Sequence, residues 1–148
     1  MPKSALTIIA LVLTLAFGAG ASLAPAASMT DAQLVAARQA AMKEDGTILK
    51  GAKSLSGDAA VKAASTILKN FSNFPGLFRP NSITPDSRAT AKIWENWADF
   101  TARLNAEKAN AQAMLAAAKA GDKKGYEAAI NALKRPCSDC HLTYARVF

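Results

Sequence analysis

The sequence predicts an all-α fold, an antiparallel up-down-up-down four-helix bundle. Three observations carry that reading. Of 148 residues, Ala supplies 34, whereas Val, Ile and Thr together supply 20; Ala is the best helix former and the β-branched types favour strands. Apolar residues recur at helical spacing in four separate stretches. Only one connection, residues 75–86, is long and proline-rich, and short connections make neighbouring helices antiparallel. The length fits one domain, and a hydrophobic fraction of 51% is ample for its core.

The first helix is expected to open at Thr30. Thr30-Asp31-Ala32-Gln33 is a capping box, with Thr as N-cap and Gln three residues on. Leu34, Ala41, Ile48 and Leu55 then recur every seven residues, with Val35, Met42 and Leu49 as the adjacent stripe, and Gly51 and Gly57 bracket its end. The second helix runs from about Asp58 to Phe74, with Val61, Ala64, Leu68 and Phe71 on one face, and Pro75-Gly76 is expected to stop it. The third opens near Asp86 or Ser87. Ile93, Trp97, Phe100, Leu104, Ala111, Met114 and Ala118 keep its spacing, and Gly121 is its expected C-cap. Asp122 then caps the fourth helix, whose stripe is Tyr126, Ile130, Leu133 and Cys137. Pro136 lacks an N–H and predicts a kink or a fresh helical start at 132–137.

Residues 1–27 read as a signal peptide, leaving 28–148 as the bundle domain. Lys3 precedes an apolar run at 5–17, and Ala24-Pro25-Ala26 fits a small-x-small cleavage site, with Ala27 as an alternative end. A retained membrane anchor is the competing reading; Gly18, Gly20 and Pro25 speak for removal. After processing no span is expected to remain. Export places the chain in an oxidising compartment, where two cysteines ordinarily pair.

The chemistry lies in Cys137-Ser138-Asp139-Cys140-His141. This is C-x-x-C-H, the covalent haem attachment pattern, and it contains the only His and both Cys of the chain. Two thiols add across the haem vinyl groups as thioethers, and the adjacent imidazole supplies an axial iron ligand. On a helix Cys137 and His141 are four apart and share a face. A Cys137–Cys140 disulfide and a thiol redox site are the alternatives. The redox site normally accompanies a strand–helix layout, which this pattern lacks. Three Cys/His residues are too few for a four-ligand zinc site, and a Ser-His-Asp hydrolase would have to use His141.

SRATAKIWENWADF (87–100), KAGDKKGYEAAINAL (119–133), CSDCH (137–141) and Arg38-Gln39-Ala40-Ala41-Met42 together resemble the cytochrome c′ family over about residues 31–145. The resemblance implies one covalent haem c on the last helix of a four-helix bundle, in a periplasmic protein. It implies that the residue four after the first-helix Arg faces the distal side of the haem. That residue is commonly Leu in high-spin, gas-binding members and Met in low-spin ones; here it is Met42. Geometry gives a separate check, because His141 lies about 10 Å from the chain end and Met42 about 18 Å into the antiparallel first helix. Met114 falls too near the far end of the third helix, and Met29 precedes the first. Met42 as core filler is the bland reading. Where the family often has Arg four after the haem His, this chain has Ala145, with Arg at 146.

Arg38 is read either as a partner of a haem propionate or as half of a surface ion pair. Trp94, Trp97 and Phe100 suit a cofactor wall but equally a core. Tyr144, three residues after His141, packs near the ring or covers the helix end. The net charge of +7 does not point to nucleic acid, because the lysines are scattered without aromatic interleaving. Lys119, Lys123 and Lys124 at one turn, and Lys134 and Arg135 beside the motif, form either a solvated face or a rim for an acidic redox partner. The expected function is therefore one-electron transfer with unidentified redox partner proteins, through a low-spin haem ligated by His141 and Met42. The expectation includes no enzymatic turnover, and the family resemblance implies a homodimer through the first two helices. The alternative is a five-coordinate protein binding nitric oxide or carbon monoxide.

Overall fold

The computed structural model describes residues 26–146. The expected signal peptide lies almost wholly outside the described residues. A short 3₁₀ turn, Ala26–Ser28, leads into α1 (Asp31–Gly51), α2 (Gly57–Leu77), α3 (Lys92–Glu95), α4 (Trp97–Ala120), α5 (Lys123–Lys134) and α6 (Cys137–Tyr144). The first two are the first two arms of the four-helix bundle, α3 with α4 makes the third, and α5 with α6 the fourth. No described helix is long and apolar enough to cross a membrane.

Local signals set most of the boundaries. Thr30 accepts from the Gln33 N–H at 3.3 Å while Gln33 Oε1 accepts from the Thr30 N–H at 2.8 Å, the reciprocal box that satisfies two donors of the opening turn. Gly121 ends α4 at φ +67°, a left-handed conformation that costs glycine nothing. Asp122 then caps α5 by accepting from the Gly125 N–H at 3.0 Å. Pro136 divides α5 from α6 as expected, and the Cys140 N–H closes the new first turn onto the Pro136 carbonyl at 3.1 Å.

Two boundaries differ from expectation. Pro75 lies inside α2, which runs on to Leu77. A proline this close to the end removes one intrahelical donor, and the chain closes by a tighter bond from the Phe78 N–H to the Pro75 carbonyl at 3.3 Å. The third arm starts at Lys92, not near Ser87, and is interrupted at Asn96. Residues 88–90 are held by the chain end instead. The Thr90 N–H donates to the Tyr144 carbonyl at 3.0 Å, and the Arg146 N–H to the Arg88 carbonyl at 2.7 Å, around an antiparallel bridge between Ala89 and Ala145. The break at Asn96 also shifts the phase of the stripe, and Trp97 is 38% exposed.

Ile67 and Phe74 of α2, Ile93 of α3, Met114 of α4, and Ile130 and Leu133 of α5 are the large, nearly solvent-free side chains between the arms. In α2 the buried stripe includes Ile67 and Phe74, whereas Val61 and Leu68 of the expected stripe are half-buried. Two ionic side chains of α1, Arg38 and Asp45, are each only 4% exposed.

Candidate cofactor site

The restart at Pro136 turns one face of α6 toward α1, with Tyr144 buried, Cys140 half-buried, and Cys137 and His141 exposed at the mouth of the site. Cys137, Cys140, His141 and Tyr144 fall at i, i+3, i+4 and i+7, the spacing of a single helical face. Opposite them α1 presents Met42. Two adjoining cavities, of about 240 and 60 Å³, are both lined by Met42, Leu104, Cys140 and His141. Phe78, Ile93 and Phe100 add apolar wall to the larger one, and Cys137 and Glu107 line the smaller.

The donor set is neutral and soft. Burial lowers the His141 pKa, with help from the positive charge of Arg88, so the imidazole keeps a lone pair free at neutral pH. Burial raises both thiols; Glu107 and Asp45 push Cys137 further up, while Arg103 pulls against the rise at Cys140. Both cysteines are free, and the Cys137 S–H donates to the Leu133 carbonyl at 3.2 Å. A thiol redox centre needs a depressed pKa, so this pair is poorly made for disulfide exchange. A thioether, an imidazole, two protonated thiols and apolar walls fit a covalently attached haem.

Arg38 closes the α1 side. One terminal nitrogen donates to the Leu77 carbonyl at 3.1 Å and to Ser82 Oγ at 3.0 Å. The other donates to the Ser82 carbonyl at 2.5 Å and to Ser87 Oγ at 3.0 Å. The guanidinium also sits 4.8 Å over the Phe78 ring. Among the described residues the ion pairs are Arg79–Asp31 and Arg103–Asp99, so Arg38 has no carboxylate partner and the surface-pair reading does not hold. Its pKa is lowered by burial against a weaker attraction to Asp31.

The expected residues Met42, Arg38, Cys140 and His141 line the larger cavity together, with Cys137 in the adjoining one. Met114 is fully buried in the core. Tyr144 meets the cavity with its ring and ties α6 to α4, its hydroxyl donating to Asp99 Oδ2 at 2.5 Å. The cavity aromatics are Phe78, Phe100 and Tyr144. Trp94 instead donates its indole N–H to the Phe78 carbonyl at 3.0 Å. Arg146 donates to the Ser87 carbonyl and does not line the cavity. Sequence reasoning missed Arg88, Asp45 and Glu107. Asp45 lies on the inner face of α1 by spacing, one turn after Met42, and that was the one signal available.

A family model described as Cytochrome C′ matches residues 24–145. A cytochrome c-556 from Agrobacterium tumefaciens is 39% identical over 97 residues, covering 66% of this chain and 78% of that protein. Cytochrome c prime from Shewanella frigidimarina superposes with a TM-score of 0.68 at 28% identity, over 79% of this chain and 97% of that one. A nitric oxide complex of a cytochrome c prime mutant from Alcaligenes xylosoxidans superposes with a TM-score of 0.65 at 24% identity, over 80% and 98%.

Proposed function

The chain belongs to the cytochrome c′ family, and from that premise we propose that it is a periplasmic one-electron carrier with a low-spin haem held by His141 and Met42. It is a monohaem c-type cytochrome, and its cofactor is one covalently bound haem c. The bound haem supplies a couple between ferric and ferrous iron. The observation that carries the reading is that Met42, Cys140 and His141 line the same apolar cavity.

In this reading the Cys137 and Cys140 thiols become the two thioethers, and His141 gives its imidazole nitrogen to the iron. The Met42 sulfur is neutral and soft, favours the ferrous state and raises the potential. The largely apolar walls limit the polar reorganisation that electron transfer demands around the site. Arg38 is a buried cation without an anion, and a haem propionate is the anion that suits it. In that case Ser82 and Ser87 share the guanidinium with the propionate. Lys134 and Arg135 flank the motif and suit a redox partner with an acidic rim. A homodimer belongs to the same reading. The open groove between α1 and α2, where Ala40, Ala59 and Ala63 stand among Lys43, Glu44, Ile48 and Lys62, is the face this reading assigns to the second copy.

The competing reading is a five-coordinate gas binder, by analogy with the nitric oxide complex of the Alcaligenes protein. Rapid mixing of the ferrous protein with carbon monoxide separates the two. Slow or incomplete binding that becomes fast in Met42→Leu is the expected result. Fast binding by the unmutated protein contradicts it and favours the gas binder.

A further inference from the structure

Asp45 is the second buried ionic side chain of α1, and nothing in the haem reading uses it. Its Oδ1 accepts from Asn70 Nδ2 of α2 at 2.8 Å, and the same amide donates to Glu44 Oε2 at 2.9 Å. Its Oδ2 is buried with no hydrogen-bond partner. No Lys or Arg is paired with it among the described residues. A carboxylate so placed has lost its hydration, holds one neutral donor and faces a like charge on Glu44. Burial, partly offset by the Asn70 bond, pushes its pKa up to about 6. A proton on Oδ2 would remove the charge that the site does not compensate.

The location gives that proton a role. Asp45 stands one turn after Met42, which lines both cavities, and its charge adds to the rise of the Cys137 thiol pKa. The groups facing this region are Glu44 on its own helix, Asn70 on α2, Cys137 on α6, and Glu107 on α4 and Lys134 on α5, which act on the same thiol with opposite signs. Lys134 is the cation among them; it is exposed and not paired with Asp45. Glu44 is exposed and shares the Asn70 amide, so solvent reaches within one side chain of Asp45.

We infer that Asp45 is a proton-binding site linked to the haem, so that this carrier takes up a proton with its electron. The inference rests on haem attachment at Cys137. Between its pKa in the oxidised and in the reduced protein, the Asp45 carboxylate takes up to one proton from solvent for each electron that a donor protein delivers. It releases that proton when the electron leaves, and only the carboxyl O–H bond forms and breaks. The sign follows from charge. An added electron disfavours a nearby anion, so Asp45 binds its proton more tightly in the reduced protein.

The test is the midpoint potential of the haem-loaded protein as a function of pH. The potential should be flat in acid and then fall with rising pH through a window that begins near 6. The fall should approach a tenfold change in the reduction equilibrium per pH unit, about 59 mV for one electron. Asp45→Asn should be flat across that window at the acid-limb value. A flat unmutated protein, or a slope that survives in Asp45→Asn, overturns the inference. The unmutated protein also has its own readout. Reduction near neutral pH should produce a carboxylic acid C=O band in the infrared difference spectrum as a carboxylate band is lost, and absence of that band overturns the inference. Failure of the attachment reading is seen separately, as a Cys137 peptide without haem in a mass spectrum.

Discussion

Two walls face each other across the cavity, and they are built in different ways. The α6 wall is local. Cys137, Cys140 and His141 lie within five residues, and a helix restarted by Pro136 turns them to one side. The α1 wall is assembled at a distance. Met42 stands between Arg38, which is bonded to residues 77, 82 and 87, and Asp45, which is bonded to Asn70. The α6 wall carries its chemistry in a short motif. The α1 wall depends on two buried ionic side chains, one held by distant residues and one left with an unpartnered oxygen.

The largest effect should come from the local wall. Replacing Cys137 and Cys140 with Ser together should abolish covalent attachment. Acidified acetone should then extract all the haem, and intact mass should equal the processed chain alone; haem that resists extraction from this variant would contradict the assignment. Next in size is the α1 clamp. Arg38→Met should cost about 2–4 kcal/mol, because it strands buried carbonyls at residues 77 and 82, and Arg38→Lys should restore only part, lacking the fork. Equilibrium denaturation reads this, and a loss below about 1 kcal/mol would mean that the 77–87 segment holds itself.

Asp45 sharpens the comparison with the opposite sign. Its folded pKa of about 6 lies above the ordinary aspartate value of 3.8, so the native state binds more protons between those values. Stability should fall as pH rises through that window and stay reduced above it. Asp45→Asn should therefore stabilise the protein by on the order of 2 kcal/mol at pH 8 and by little at pH 4. Denaturation at the two pH values checks this, and equal effects at both would remove the titration from the account. The smallest effect is expected at the junction of α6 with α4. Tyr144→Phe deletes the hydroxyl bonded to half-exposed Asp99 and should cost about 0.5–1 kcal/mol, read as a shifted denaturation midpoint.

The same division explains what was legible before any coordinates. Thr30, Gly121, Asp122 and Pro136 act within a few residues of themselves, and their effects were read correctly. The proposed attachment motif is local in the same way, three residues within one turn and a half of α6. The start of the third arm was misplaced because residues 88–90 pair with the chain end more than fifty positions away, and no local pattern announces that bridge. Trp97 kept helical spacing with Phe100 but turned outward once Asn96 broke the helix. Arg38 was singled out, yet its partners could not be, because a side chain that crosses to another element leaves no spacing signal. Asp45 is not singled out by its sequence context, although its spacing from Met42 puts it on the inner face of α1.

The central claim is that the two walls meet at one iron, with His141 on one side and Met42 on the other. Ferric absorption into the near infrared, recorded on the unmutated protein and on Met42→Leu, tests it most directly. The account predicts a low-spin spectrum with a weak sulfur-to-iron band in the unmutated protein. The swap nearly conserves volume, so the bundle should survive while the band disappears and the iron turns high-spin. A high-spin spectrum before mutation, or a low-spin spectrum that persists in Met42→Leu, would contradict it.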